Sequence, residues 1–245
     1  MAKSRGSENH DVGVVLVAAG AGSRFGRKKQ FLQLAGKPLF LHGLETLGGL
    51  DEVAEVVVVV APEDVEEATS LLSSWRIKQR IDVQLSIAVG GASRLESVTN
   101  GLAALGESVA WVLVHDAARP LLRREDARRC VDTLLKEGTA VLGHPAGDSV
   151  KEIDSGRIPR ILRDVRRSAV WLVQTPQGAS RRVLEEALLE AAGEGACVTD
   201  EASLLERANV RAVLVEGARD NIKITYPDDL ALAEFLLARR ERNGA

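Results

Sequence analysis

The segment AEVVVVVA, residues 54–61, sets five valines in a row. Branching at Cβ stiffens χ1 and suits extended backbone. Unbroken apolarity, rather than alternation, requires a strand covered on both faces. Similar runs recur as VGVVLVAA (12–19), VQLSIAV (83–89), AWVLVHD (110–116), TAVLGHP (139–145), VWLVQT (170–175) and VRAVLVEG (210–217). Helical patterns separate them. PLFLHGLETLGGL opens on Pro38, PEDVEEATSLLSSW opens on Pro62 with acids in its first turn, and SRLESVTNGLAAL follows a Gly-Gly pair. REDARRCVDTLLKEG and SRRVLEEALLEAAGEG end at glycine, and PDDLALAEFLLARRER ends in arginines that suit the helix dipole. Strands alternating with helices predict an α/β fold, a mostly parallel sheet with helices on both faces.

One stretch breaks the rhythm. Residues 147–173, GDSVKEIDSGRIPRILRDVRRSAVWLV, alternate in character, turn at DSG (154–156) and show no helical period. They predict an antiparallel hairpin projecting from the sheet. Its Val150, Ile153, Ile158, Ile161 and Leu162 need burial, which a second subunit would supply, so a homodimer through this arm is expected. The remainder reads as a single domain over 12–240. Residues 1–11 carry charge but no apolar signal core and read as a disordered lead-in.

The bulk numbers exclude several function classes. A net charge of −3 does not coat nucleic acid, and 3% aromatic residues leave little for stacking on bases. Apolar runs fall far short of a bilayer span. Cys130 and Cys197 lack a CxxC partner and read as reduced thiols, and the four histidines show no zinc spacing. The expectation is a cytoplasmic enzyme or binding protein with no nucleic-acid or membrane partner.

Four clusters carry chemistry. AAGAGSRFGRKK (18–29) bares the backbone after the first strand and then adds bases, which suits an anion. It is neither a Walker loop nor a GxGxxG fingerprint, and a tight turn with solvated bases would look the same. In LVHDAARPLL (113–122), Asp116 ends a buried strand, where a hydrated Mg²⁺ bridging phosphates could be held or a turn merely capped. GGASRLESV (90–98) offers either a bare backbone to a flat base or a plain helix start. In RDNIKIT (219–225), Lys223 lies between Ile222 and Ile224 in a β-like segment and so points away from both, to solvent or to a site. Together they suit phosphoryl or nucleotidyl transfer, where positioning and charge neutralisation do most of the catalysis.

AAGAGSRFGRKKQFL, GGASRLESV, VLVHDAARP, VQTPQ, VTDEASLLE and EGARDNIKIT stand in the order and spacing of the 2-C-methyl-D-erythritol 4-phosphate cytidylyltransferases, which this chain resembles from about Val12 to Leu237. The resemblance implies a Rossmann-like fold with a dimerising β-arm, and transfer of a cytidylyl group from CTP to methylerythritol phosphate in the non-mevalonate isoprenoid route. It also implies Mg²⁺ or another divalent cation. By the same resemblance Ala18, Ala19, Gly20, Ala21 and Gly22 would wrap the CTP phosphates, with Arg24 and Lys29 neutralising them. Gly90, Gly91 and Ser97 would line the cytidine. Asp116, beside Ala117, would face the metal and ribose-phosphate region, and Lys223 would bridge the substrates. Arg119 and Ser149 would meet the sugar phosphate, with Arg167 and Thr175 contributing to the neighbouring subunit's site. The chain departs from the family pattern at Val17, Lys28, Ala92 and Ser149. Lys28 adjoins Lys29, and the QFL that follows favours Lys29 as the phosphate-facing lysine. Alternatives are a ribitol-5-phosphate cytidylyltransferase, which shares nearly all these motifs, and a non-catalytic nucleotide-sensing module.

Overall fold

The computed structural model describes residues 12–20, 29–79, 83–196 and 198–242; the expected tail at 1–11 and Cys197 lie outside the described residues. The chain begins with β1 (Val12–Val17), followed by a two-residue hairpin of β2 (Gln33–Leu34) and β3 (Lys37–Pro38). The hairpin turns on Ala35 and Gly36, both at positive φ, the requirement of a type I′ connection. Next come α1 (Leu39–Gly48), β4 (Val53–Val60), α2 (Val65–Gln79), β5 (Gln84–Val89), α3 (Arg94–Ala103) and β6 (Trp111–Asp116). The second half contains α4 (Arg124–Glu137), β7 (Thr139–Pro145), β8 (Val150–Ile153), β9 (Ile161–Val165) and β10 (Trp171–Ser180). It closes with α5 (Arg181–Gly193), α6 (Glu201–Arg207), β11 (Leu214–Glu216) and α7 (Pro227–Arg242).

The central sheet has the order β11-β7-β10-β6-β1-β4-β5. Its pairings are parallel except where β10 lies antiparallel between β6 and β7. Side chains of successive strand residues point to opposite faces, so each valine run feeds two cores. Val56, Val58 and Val60 pack with Phe40 and Leu44 of α1, Trp75 of α2 and Leu134 of α4. Val57 and Val59 pack with Val98 and Leu102 of α3, Leu184 of α5 and Leu204 of α6. A third cluster joins Ala233 and Leu236 of α7 to Leu34, Leu39, Leu121 and Ile224 beyond the strand ends.

Sheet class, helices on both faces and the hairpin agree with the sequence reading. Three features differ. The strand expected over 170–175 runs on to Ser180 and reverses direction, and its first residues, Trp171 to Val173, pair with β7 inside the central sheet. The projecting hairpin is therefore β8–β9 alone, with Ile153, Ile158, Ile161 and Leu162 between 53 and 75% exposed. The run expected over 210–217 contracts to the short strand β11. Helix α6 has fewer than two turns, too short to show a period. Reciprocal caps start it, with the Asp200 carboxylate accepting from the Ser203 N–H while the Ser203 hydroxyl pairs with the Asp200 N–H.

Candidate active site

The chain leaves β1, crosses out to β4 and β5, and returns through α3 to β6 on the other side of β1. An open α/β sheet binds ligands at such a reversal, outside the carboxyl ends of its strands. A cavity of about 390 Å³ opens there, lined from Val17 to Gly20 after β1, from Gly91 to Arg94 and Ser97 at the start of α3, and from Asp116 to Ala118 after β6, with Gln30 and Lys223 completing it. Backbone bonds hold these loops together: Ala18 N–H donates to Val59 O at 2.7 Å, Gly90 N–H to Val60 O at 2.7 Å, and Ala117 N–H to Val17 O at 3.0 Å.

The glycine pair is needed for this approach. A Cβ on Gly90 would stand 2.4 Å from the Ala19 Cβ, and one on Gly91 would stand 2.2 Å from the Glu96 Cβ. The amides that follow are spent internally, Gly91 N–H on Ser97 Oγ at 3.1 Å and Ala92 N–H on Glu96 Oε2 at 2.7 Å. Ser97 is buried, and its hydroxyl donates in turn to Ser93 O at 2.9 Å.

Asp116 forms the charged centre. Its Oδ2 accepts from Lys223 Nζ at 2.6 Å and its Oδ1 lies 3.5 Å from Arg94 Nη2. Burial pushes the carboxyl up, but Lys223 and Arg94 outweigh it and hold the group well below the usual carboxylate range. Lys223 lies in an irregular segment rather than a strand. The alternation still operates, because buried Ile224 and half-buried Ile222 anchor on the α7 cluster and turn Lys223 the other way. Ile224 N–H donates to Ala118 O at 2.8 Å, while Asp220 is clamped by Arg123 and Arg240. Asn221, fully buried, donates to Gln174 Oε1 and Thr175 O.

A neutral histidine braces the loop that carries Asp116. Asp116 N–H donates to Thr175 Oγ1 at 3.1 Å, and that hydroxyl lies 2.9 Å from His115 Nδ1. His115 Nε2 lies 3.2 Å from Arg119 O. Complete burial pushes the imidazole down to about 4, so the ring is neutral near pH 7, and the contacts fit a proton on Nε2. Thr175 is 3% exposed, and its hydroxyl supports Asp116 within the chain.

Of the other predicted residues, Ala18, Ala19, Gly20, Gly91, Ser97, Asp116, Ala117 and Lys223 meet at the cavity. Gly90 packs directly behind it against Ala19. Arg119 stands beside it, donating to Asn221 O at 2.9 Å while its buried Nε has no hydrogen-bond partner among the described residues; burial lowers its pKa. Ser149 and Arg167 are exposed near the base of the arm, where Arg167 donates to Gly147 O. Ala21, Gly22, Arg24 and Lys28 lie outside the described residues, as does the side chain of Lys29, whose backbone opens a short 3₁₀ turn. Sequence reading missed Arg94, Glu201, His115 and Gln30. Arg94 and Glu201 stand inside the GGASR and TDEAS motifs, but each looks like an ordinary first-turn helix residue, and their pairing has no local signal.

A family model for IspD, 2-C-methyl-D-erythritol 4-phosphate cytidylyltransferase, matches residues 12–239. A Haemophilus influenzae protein of that name is 40% identical over 229 residues, covering 93% of this chain and 96% of its own. A Chromobacterium violaceum protein of the same name is 45% identical over 232 residues, covering 91% of this chain and 96% of its own. Among solved structures, the 2-C-methyl-D-erythritol 4-phosphate cytidylyltransferase of Thermus thermophilus superposes with a TM-score of 0.73 at 33% identity, over 92% of this chain and 98% of that one. A 4-diphosphocytidyl-2C-methyl-D-erythritol synthase from Anaerococcus prevotii, at 24% identity, reaches 0.81 over 94% of this chain and all of its own, and so shares the fold. With its motifs in order, its sheet reversal lined by them and these likenesses spanning nearly its whole length, the chain belongs to the 2-C-methyl-D-erythritol 4-phosphate cytidylyltransferase family.

Proposed function

We propose that the chain transfers a cytidylyl group from CTP to 2-C-methyl-D-erythritol 4-phosphate and releases pyrophosphate, with the cavity at the β1–β6 reversal as the active site. The observation that carries this is the Asp116–Lys223 pair, with Arg94 behind it, set among bare-backbone loops at that reversal. The acceptor is a phosphate monoester, largely dianionic at neutral pH because its second pKa is about 6. It needs no general base. The barrier is repulsion between two polyanions, which cations placed at the reacting phosphate lower. Lys223, 44% exposed at its side chain and reaching into the cavity, is suited to contact both substrates, with Arg24 and Lys29 assigned to the triphosphate. The amides of Gly90, Gly91 and Ala92 are already spent, so this backbone has carbonyl oxygens to offer. Such acceptors suit the exocyclic amino donor of cytosine.

A divalent cation fits the donor set. Among the described residues no group of three or more His, Cys, Asp or Glu forms a metal cage. Mg²⁺ commonly takes one or two carboxylates together with substrate phosphates, and Asp116 supplies one carboxylate at the cavity. When bound with nucleotide, the ion would neutralise phosphate charge. Arg119, whose buried Nε is unpaired among the described residues, and exposed Ser149 and Arg167 are assigned to the sugar phosphate. Thr175, whose hydroxyl also holds the Asp116 amide, is assigned with Arg167 to the neighbouring subunit's site. The exposed apolar residues of the β8–β9 arm support a homodimer. No helix among the described residues is long and apolar enough to cross a membrane, and a cytoplasmic location is proposed.

The test is pyrophosphate release with Mg²⁺, offering methylerythritol 4-phosphate or ribitol 5-phosphate to CTP, UTP, ATP or GTP. Release with CTP and methylerythritol 4-phosphate alone is expected. Release with ribitol 5-phosphate only, or from no pair, overturns the assignment.

A further inference from the structure

Behind Asp116 stands a buried ion pair that the transfer chemistry does not itself require. Glu201, the first residue of α6, is 2% exposed at its side chain, and both its oxygens accept from Arg94, the first residue of α3, at 2.7 and 2.9 Å. Arg94 Nη2 also lies 3.5 Å from Asp116 Oδ1. From interior to rim the charges alternate as Glu201, Arg94, Asp116, Lys223, and the terminal side chains range from 2% to 44% exposed. Burial disfavours the charged form of both members of the inner pair. Glu201 outweighs burial and holds Arg94 firmly protonated, whereas burial raises the Glu201 carboxyl despite Arg94.

Such a pair is weak evidence for stability, because desolvation consumes most of the Coulomb attraction and apolar groups of similar volume often do as well. Its placement offers another reason. A guanidinium lining a phosphate-binding cavity would close on the ligand's phosphates if nothing else held its fork. Here the fork is already filled bidentately by a carboxylate anchored in a helix on the same face of the sheet as α3.

We propose that Glu201 is a positioning residue. It holds Arg94 off the substrate phosphates and against Asp116, so that Asp116 and Lys223 are set before the substrates arrive. This rests on the cytidylyl-transfer reading and adds an element with a distinctive signature. Without the Glu201 charge, Arg94 is left to Asp116 and the incoming triphosphate. Nucleotide binding tightens while turnover falls, whereas loss of a merely structural prop would weaken both.

The experiment compares the full-length wild type with Glu201→Gln and with the doubly neutral Arg94→Gln/Glu201→Gln. CTP affinity is measured by calorimetry with Mg²⁺, kcat by pyrophosphate release, and Tm by circular dichroism. In Glu201→Gln, CTP is expected to bind about threefold more tightly, the sign set by removing one negative charge near the polyanion. Its kcat is expected to fall about a hundredfold, as misplacement of a catalytic group by an ångström does. The double variant recovers Tm without recovering kcat. Weaker CTP binding in Glu201→Gln, or wild-type kcat in the double variant, overturns the proposal. If Glu201→Gln does not fold, the double variant's kcat decides alone. Failure of the wild type to release pyrophosphate would refute the assigned reaction, and the CTP affinities would still report on the ion pair.

Discussion

Replacing Gly101 by alanine tests whether α3 must sit as close to the sheet as the cavity needs. Gly101 is on the buried face of α3, and a methyl built there would stand 2.4 Å from Val15 Cγ1 and 2.8 Å from Val59 Cγ2. Both valines are fully buried in the adjacent strands β1 and β4, and β-branched side chains have little freedom to turn aside. The helix must therefore lift. Helix propensity alone favours alanine over glycine by about 1 kcal/mol. Overpacking a tight core costs about 1–3 kcal/mol, and contacts this short argue for the upper end. The net is a loss of about 2 kcal/mol, or about 4–8 °C in Tm for a chain of this size. The same substitution at Gly193, at the end of α5 with nothing among the described residues within 4 Å of the added Cβ, is expected to gain about 0.5 kcal/mol. Lifting α3 also carries Ser93, Arg94 and Ser97 away from the cavity, so the KM for CTP rises in Gly101→Ala and not in Gly193→Ala. Urea denaturation and pyrophosphate release read the two effects. A Gly101→Ala protein as stable as the wild type would show that propensity outweighs packing and that the helix is not seated as tightly as argued.

Other substitutions and conditions give separate checks. Lys223→Met removes the ammonium beside Asp116 from a half-exposed position; kcat is expected to fall about a hundredfold or more with Tm nearly unchanged, measured by turnover and thermal melts. Because burial pushes His115 down to about 4, its neutral form favours the fold. That contribution is complete above about pH 6.5 and is lost as pH falls from there toward 4, a total of about 3 kcal/mol. Urea midpoints from pH 7 to 4.5 should therefore fall less steeply in His115→Gln than in the wild type, and parallel curves would contradict this. If the proposed homodimer forms through the arm, wild type sediments as a dimer and Ile161→Asp together with Leu162→Asp as a monomer, at unchanged Tm of the α/β core; a monomeric wild type would refute that proposal.

Local features of the chain announce themselves because they depend on residues a few positions apart. The valine run of β4, the proline before α1 and the glycine that caps α4 at φ +83° each follow from backbone sterics and side-chain shape. The turning of Lys223 away from Ile222 and Ile224 was legible by the same alternation, as was an exposed apolar hairpin. Asp116 could be placed at a strand end, but not its partners. Lys223 and Asp116 are 107 positions apart, as are Arg94 and Glu201, and neither pair exists until the loops beyond β6 and the helices on one face are packed. The reversal of β10 is equally silent, because an apolar strand buried between two others reads the same in either direction. Thr175 shows the limit most plainly: its place near the arm is legible, and only the fold reveals that Asp116 and His115 share its hydroxyl. The sequence by itself determined the element types, the layers and the loops that meet at the sheet reversal, since periodicity and turn chemistry act locally. The tertiary structure alone decided which charges neutralise one another there, because a buried charge takes its partner from whatever packing brings within a few ångströms.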